Sequence, residues 1–484
     1  MNAPSSGPTV VVIGGGFSGS LFAMKYSAAR PDAHVIVVER SRRVGRGLAY
    51  GACSPIHLLN VPVSRMELGL TPSFGDWLRK QPHLIAEALA ESGGDLSAAY
   101  VSRESFGAYM EERVLEAVSP DRAHGFTIVR AEVVRLLDYP ARGVLLHDGR
   151  EIAADIVVLA TGNLPPRPPK MRDSWLYDTR HFIGNPWAAD AFADLGPDDP
   201  VVLLGTGLTM VDVVLKLAAE GHRGTMHAVS RRGLYPQMHK TGGVWDTFVK
   251  PSDEKQSPAA LVRRIRDEVA RAAKQDVPWQ RVMDAMRPAV ARIWHSWSET
   301  ERAAFLRHLR PRWDVHRHRV APRVASKLAG LVYAGRLEVF GGRVESYRQA
   351  GDMVDVTVRE RGTHAARTMR AAAVINCTGP RSDMDRLAFP LLANMRRRGL
   401  IAPDPLGLGI ETADCAAIGS AGHTSPWLYA LGPLTRPTWW EITAVPEINL
   451  QVDRLVDRLV HPHGAGGPPD KLLADAFSDL GTGI

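Results

Sequence analysis

Two patterns of apolar positions organise this chain. Thr9–Ile13 (TVVVI) and His34–Glu39 (HVIVVE) are short, β-branched and apolar at consecutive positions, which predicts strands buried on both faces of a sheet. Between them Ser20–Arg30 places small and apolar residues on one side of a helix, and Pro31 lies just past its end. The three segments predict a β-α-β unit. The pattern returns at Val201–Gly205 (VVLLG), with a helix to about Glu220 and a strand over Thr225–Val229. Residues 76–118 read as helical, and residues 126–158 as short strands that end in Asp155–Ala160 (DIVVLA). Leu164–Pro169 (LPPRPP) reads as a linker. Residues 236–330 are rich in Arg, Trp and His and carry helical periodicity, which predicts a helical insertion. Strands follow in RLEVF, DMVDVTVRE and Ala372–Asn376, and a last helix near 444–460.

Composition adds bounds. A chain of 484 residues, 45% hydrophobic and 23% charged, is an ordinary globular protein of several domains. The net charge of +7 is mild over this length, so no nucleic-acid partner is implied, while a local use of cations for phosphates fits. Cys53, Cys377 and Cys415 form no C-x-x-C, which argues against a redox dithiol and a four-Cys zinc site and fits a reducing compartment. No apolar run approaches the roughly 20 residues of a membrane span, and MNAPSSGP lacks the features of a secretory signal. The expectation is a cytoplasmic protein with no membrane partner.

The chemistry begins at the turn after the first strand. Gly14-x-Gly16-x-x-Gly19 supplies a tight turn, a close approach for a pyrophosphate and close helix–strand packing, and the helix N-terminus offers free N–H groups. Glu39 ends the second strand, where a carboxylate accepts both ribose hydroxyls and repels a 2′-phosphate, as suits FAD or NAD. The second unit has Gly205-x-Gly207, with Met210 where a third glycine is usual. There Arg231 and Arg232 replace the acid, which favours the 2′-phosphate of NADPH over NADH. Thr161-Gly162 and Thr378-Gly379, each after an apolar strand, let the chain cross tightly beside a cofactor.

In this order the motifs resemble the two-domain flavoproteins that bind FAD first and NAD(P)H second. GRGLAY (45–50), HLLNVP (57–62), WDVHRHRVAP (313–322) and LGPLTRPTWWEITAVPEIN (431–449) resemble one subfamily of FAD/NAD(P)-binding oxidoreductases, related to the N-hydroxylating and flavin-containing monooxygenases. The resemblance implies an α/β fold with two Rossmann-like dinucleotide-binding domains. A discontinuous FAD domain, 1–165 and 380–484, would enclose an NAD(P)H domain, 166–379, that carries the helical insertion at about 236–330. It places Asn60 near the flavin, Gly419 of AAIG in a late FAD motif with Ser420 in place of the usual Asp, and Gly432, Pro433 and Thr443 toward the flavin ring.

His316 and His318 would share a face only in a strand, and apart from Asp314 no carboxylate or Cys sits at ligand spacing, so no metal is expected. Arg317, Arg319 and Arg323 either contact a phosphate or fix the insertion, and Trp294, Trp297, Trp439 and Trp440 read as packing. No nucleophile elbow surrounds Ser425. The implied reaction is hydride transfer from NADPH to FAD, then oxygenation of a small amine-bearing or acidic substrate by a C4a-(hydro)peroxyflavin formed with molecular oxygen. A reductase passing electrons to a quinone, dye or protein, and a cofactor-retaining binding module without turnover, remain open.

Overall fold

The computed structural model describes residues 7–118, 126–171, 174–250, 253, 255–380 and 389–462. Strand β1 (Thr9–Ile13), helix α1 (Phe17–Ala29) and strand β2 (His34–Glu39) form the first β-α-β unit. The helix starts three residues earlier than the apolar pattern suggested, because Gly16 is already its N-cap and Gly19 lies inside it. Four helices follow: α2 (Gly47–Gly51), α3 (Phe74–Arg79), α4 (Pro82–Glu91) and α5 (Arg103–Ala117). Ser73 and Ser102 cap α3 and α5, each accepting a first-turn N–H. Then come β3 (Phe126–Arg130), β4 (Val133–Leu137), β5 (Gly143–Leu146), β6 (Glu151–Ala153) and β7 (Ile156–Leu159).

The second unit comprises β8 (Phe182–Ile183), β9 (Val201–Leu204), α6 (Leu208–Ala219) and β10 (Met226–Ser230). A helical block succeeds it: α7 (Pro258–Ala273), α8 (Trp279–Ala285), α9 (Val290–Ser296), α10 (Glu299–Ala304), a π-type turn (Phe305–Leu309) and α11 (Arg310–Arg317). Helix α12 (Pro322–Tyr333) lies within the span predicted for the insertion, yet its Val324 and Leu328 pack into the core of the second sheet beside α6. The chain continues through β11 (Leu337–Ala350), β12 (Met353–Glu360), β13 (Ala366–Ala371), β14 (Ala373–Asn376), α13 (Pro390–Arg397), β15 (Thr412–Ala413), β16 (Ala416–Ile418), β17 (Thr424–Ala430) and α14 (Val445–Val460).

Two seven-stranded sheets result, in the orders β15-β16-β17-β7-β1-β2-β3 and β13-β12-β11-β10-β9-β14-β8, with β4-β5-β6 as a small antiparallel meander. In the first sheet β3, β2, β1, β7 and β17 run parallel; in the second β11, β10, β9, β14 and β8 do. Each parallel run is apolar at consecutive positions because both faces are covered: helices pack on one, and on the other lie the β4-β5-β6 meander with α13 in the first sheet and the antiparallel strands β12 and β13 in the second. In both sheets the strand that opens the β-α-β unit, β1 or β9, has its sequence neighbour on one side and a much later strand on the other. That reversal is the topological switch point, where ligands bind beyond the carboxyl ends of the strands.

The same close crossing lies at both switch points. Gly14 has φ +104 and Gly205 φ +112. A Cβ on Gly14 would lie 2.4 Å from the Ala160 carbonyl oxygen, and one on Gly205 would lie 2.4 Å from that of Cys377. The backbones after β7 and β14 thus occupy the space of a missing side chain. Gly14→Ala and Gly205→Ala each combine a left-handed backbone with a collision against main chain, costs on the order of 2–5 kcal/mol. Both should lower the melting temperature well beyond Gly207→Ala, where a Cβ meets nothing within 4 Å. Thermal denaturation of the three variants checks this ranking.

Candidate functional site

The first turn is built for a ligand the protein itself does not replace. Gly16 caps α1 without a side-chain acceptor, and the first turn holds no acidic residue, so the N–H groups and positive dipole end of α1 point out past the sheet. Gly19 is confined because a Cβ there would lie 2.0 Å from the Gly14 carbonyl oxygen, which seats α1 directly on the turn. Glu39 is held in place from both oxygens: Gly15 N–H donates to Oε2 at 2.7 Å and Ser41 N–H to Oε1 at 2.7 Å. Each oxygen keeps capacity for a hydroxyl donor. The Thr161 hydroxyl is buried with no hydrogen-bond partner among the described residues, and Gly162 beside it faces open space. An orphaned hydroxyl, an aimed carboxylate and an uncapped helix on one rim fit a dinucleotide such as FAD.

The second turn repeats the design with different charge. Gly207 caps α6 with no side-chain acceptor. Met210 stands where the third glycine is usual, and its side chain is fully buried in the core under β9, so close packing is met by a thioether. The Thr378 hydroxyl donates to Asn376 Oδ1 at 2.7 Å, and Gly379 faces open space. Arg231 is exposed at the end of β10. Arg232 behaves differently: its terminal nitrogens donate to the His308 carbonyl at 2.7 Å and the Arg307 carbonyl at 3.3 Å, which turns part of it away from a cofactor and onto the helical block.

The flavin-end candidates divide. Leu431 N–H donates to the Leu159 carbonyl at 2.8 Å, so Gly432 and Pro433 sit at the carboxyl end of β17, level with Thr161. A Cβ on Gly432 would lie 3.1 Å from Ser18 Oγ in the first turn of α1. Gln451 fixes this corner, accepting from Gly432 N–H at 2.8 Å and donating to Thr435 Oγ1 at 2.7 Å. Asn60 joins from the loop before Val61-Pro62, its carbonyl paired at 2.7 Å with His239 Nε2. Thr443 is exposed, next to buried Glu441. Gly419 does not belong here. Strand β16 is antiparallel to β17, with Ile418 opposite Thr424, so Gly419 and Ser420 lie at the amino end of β17, against Gly399 and across the sheet from the turns. The AAIG pattern misled because strand direction is set by pairing, not by local sequence; the strand that ends at the site is β17, with Leu431-Gly432.

The Arg-rich block is a clamp. Arg317 pairs with Glu441 at 3.0 Å and Glu447 at 3.5 Å, Arg287 pairs with Glu447 at 2.7 Å, and Arg319 bonds Asp284. Arg323 pairs with Glu87 at 2.6 Å, so of the two roles expected for Arg317, Arg319 and Arg323 the structural one holds. The arginines beside Glu447 hold its carboxyl below the usual range against its burial. Trp294 stacks on Trp440 at 4.3 Å and donates to the Pro437 carbonyl, while Trp297 packs in the same cluster and Trp439 in the core under α1 and α14. His316 and His318 straddle the end of α11, and no group of three metal-ligating side chains exists among the described residues. Arg103 joins α5 to α6 through Asp212 at 2.7 Å, and His57 Nε2 meets the Asp212 carbonyl at 2.9 Å. His239, Arg103, Asp212 and Gln451 carry no local signal in the sequence; only tertiary contact reveals them.

Residues 11–164, which hold the first turn, Glu39, Asn60 and Thr161-Gly162, match the family model described as FAD-NAD(P)-binding. This segment is similar to the FAD-NAD(P)-binding domains that the model describes. The chain is 28% identical over 273 residues to an L-aspartate N-monooxygenase (nitrosuccinate-forming) from Streptomyces cremeus, over 48% of this chain and 40% of that protein. It thus spans about two fifths of that curated relative. In fold it is similar to an ornithine N-hydroxylase of Kutzneria sp. 744, solved with reduced FAD, NADP+ and L-ornithine (TM-score 0.63, 16% identity, 95% of this chain and 100% of that one). It is similar as well to L-lysine 6-monooxygenase from Pseudomonas syringae (TM-score 0.65, 18% identity, 94% and 99%). The chain therefore shares the fold of these two solved structures. No helix among the described residues is long and apolar enough to cross a membrane.

His239, which ties the helical block to Asn60, is pushed down to about 4, first by burial and then by Arg319. The folded state therefore holds it neutral while the unfolded chain takes up a proton below about pH 6.5. Stability from this group is full above pH 6.5 and falls, by roughly 1.4 kcal/mol per pH unit at most, as pH drops toward 4. Melting temperatures from pH 7.5 to 4.5 should decline, and the decline should be shallower in His239→Gln.

Proposed function

We propose that the protein is an FAD-dependent, NADPH-using monooxygenase that hydroxylates the nitrogen of a small, carboxylate-bearing amine. The observation that carries this reading is the pair of uncapped helix N-termini, at Gly16 and Gly207, each at the switch point of its own parallel sheet. One ends beside a fixed carboxylate and the other beside arginines. We assign residues 1–165 and 380–484 to FAD, and residues 166–379, with the block at 236–330, to NADPH; of these, 1–6, 119–125, 172–173, 251–252, 254, 381–388 and 463–484 lie outside the described residues.

FAD reduced by hydride from NADPH supplies the oxygen chemistry. The chain's own groups bind and orient. The α1 N-terminus takes the pyrophosphate, Glu39 the ribose hydroxyls, and Thr161 gives its unpaired hydroxyl. Gly432, Pro433 and Asn60 border the ring end, while Gly205, Gly207, Gly379 and Arg231 receive NADPH. The Trp294–Trp440 stack and the buried Arg–Glu pairs close the helical block over this end and exclude water. No protein nucleophile is required, and the three cysteines are free, with no thiol pair for disulfide chemistry. Free thiols also suit a cytoplasmic site.

Arg436 sets the expected substrate charge. It follows Gly432-Pro433 in the same stretch and forms no ion pair among the described residues. Burial, then Arg310, push it down to about 10. A guanidinium so placed favours an incoming carboxylate. The related L-aspartate N-monooxygenase makes an acidic amino acid the first substrate to try. The test is NADPH- and oxygen-dependent formation of an N-oxygenated product, read by mass spectrometry across aspartate, glutamate, ornithine and lysine. Arg436→Gln should raise KM for the accepted acid at least tenfold and leave flavin reduction by NADPH unchanged. Turnover on none of these amines, with electrons passing to a quinone instead, sinks the reading.

A further inference from the structure

Arg232 points to a junction that the second turn alone does not explain. Pro311 has no N–H, so the Arg307 carbonyl loses the donor a regular helix would bring to it four residues on, and the backbone widens into the π-type turn at Phe305–Leu309. Arg232 supplies the missing donors to the Arg307 and His308 carbonyls. This bond pins the start of α11 to the loop after β10. Arg312, four residues past His308, is exposed on that joint.

A third element reaches the same place. Ser230 at the end of β10 pairs with Gly341 of β11, and Arg361 N–H, just past β12, donates to the Gly341 carbonyl at 2.8 Å. A Cβ on Gly341 would lie 3.2 Å from the Arg232 backbone and 3.4 Å from Arg361 Cβ. Arg231, Arg312 and Arg361 are all exposed, and none forms an ion pair among the described residues. Their charges, after burial, hold Arg232 below the ordinary arginine range. Three arginines from three elements thus converge beyond β10, and no carboxylate pairs with them among the described residues.

We propose that Arg231, Arg312 and Arg361 together form the receptor for a phosphomonoester on the adenosine ribose, the 2′-phosphate of NADPH, with Arg232 as the positioning residue that holds the helical block against it. The proposal rests on the NADPH reading and extends it. The block that covers the flavin end also takes part in choosing the nicotinamide cofactor, because Arg312 and the carbonyls that Arg232 binds belong to it.

The test uses the flavin-loaded full chain and two probes without a nicotinamide, adenosine 2′,5′-bisphosphate and adenosine 5′-monophosphate, measured by calorimetry. The unmodified protein should prefer the bisphosphate. Arg312→Gln and Arg361→Gln, both exposed, should each cut that preference about tenfold and leave the monophosphate unchanged. Arg232→Gln should weaken the bisphosphate while KM for NADH stays constant. A preference that survives the Arg312→Gln/Arg361→Gln double variant overturns the three-element receptor but spares the NADPH reading. Equal binding of the two probes by the unmodified protein overturns both.

Discussion

Two absent side chains set the geometry of the molecule. At Gly14 and at Gly205 a carbonyl from a distant strand takes the place of a Cβ. That crossing brings the end of β7 against the turn after β1, and the end of β14 against the turn after β9. Everything that makes each site follows from it: the helix starts at once, its N–H groups stay uncapped, and Thr161 and Thr378 arrive on the rim. The same solution recurs in both sheets and leaves an uncapped helix N-terminus at each switch point.

The second constraint is how the parts are held together. Buried ion pairs add little net stability, since desolvation offsets much of their attraction, but removing one partner is expensive and their geometry is strict. Here they lie where orientation matters. Arg103–Asp212 joins α5 to α6, and Arg287, Arg317, Glu441 and Glu447 join the helical block to the stretch that follows Gly432. The block is therefore fixed in place, packed through Trp294 and Trp440, and Arg317 and Arg319, which look like part of a phosphate patch in the sequence, serve as its fastening.

Much of this was legible in the sequence, for physical reasons. β1 and β2 are read to the residue because fully buried strands carry an unbroken apolar signal with sharp turn boundaries. Gly14, Gly19 and Gly205 were legible because their spacing encodes steric need. What failed was long-range. Gly419 sat in a plausible local pattern, yet β16 runs against β17 and carries it to the far end of the sheet. Arg232 looked like a phosphate ligand, but Pro311 opened carbonyls some 75 residues away that claim it. Helix α12 continued the helical periodicity of the insertion while packing with the second sheet. His239 and Gln451 have no local signature, since a single carbonyl or N–H partner defines each.

We propose that one chain seats a flavin on the first turn and draws hydride from a phosphorylated nicotinamide on the second. Anaerobic stopped-flow reduction of the FAD-loaded protein tests it most directly, with NADPH and NADH compared at equal concentration. NADPH should bleach the flavin spectrum much faster than NADH, with the difference lost in Arg231→Gln. A protein that takes up no FAD, or a flavin that both nucleotides reduce at the same rate, would contradict it.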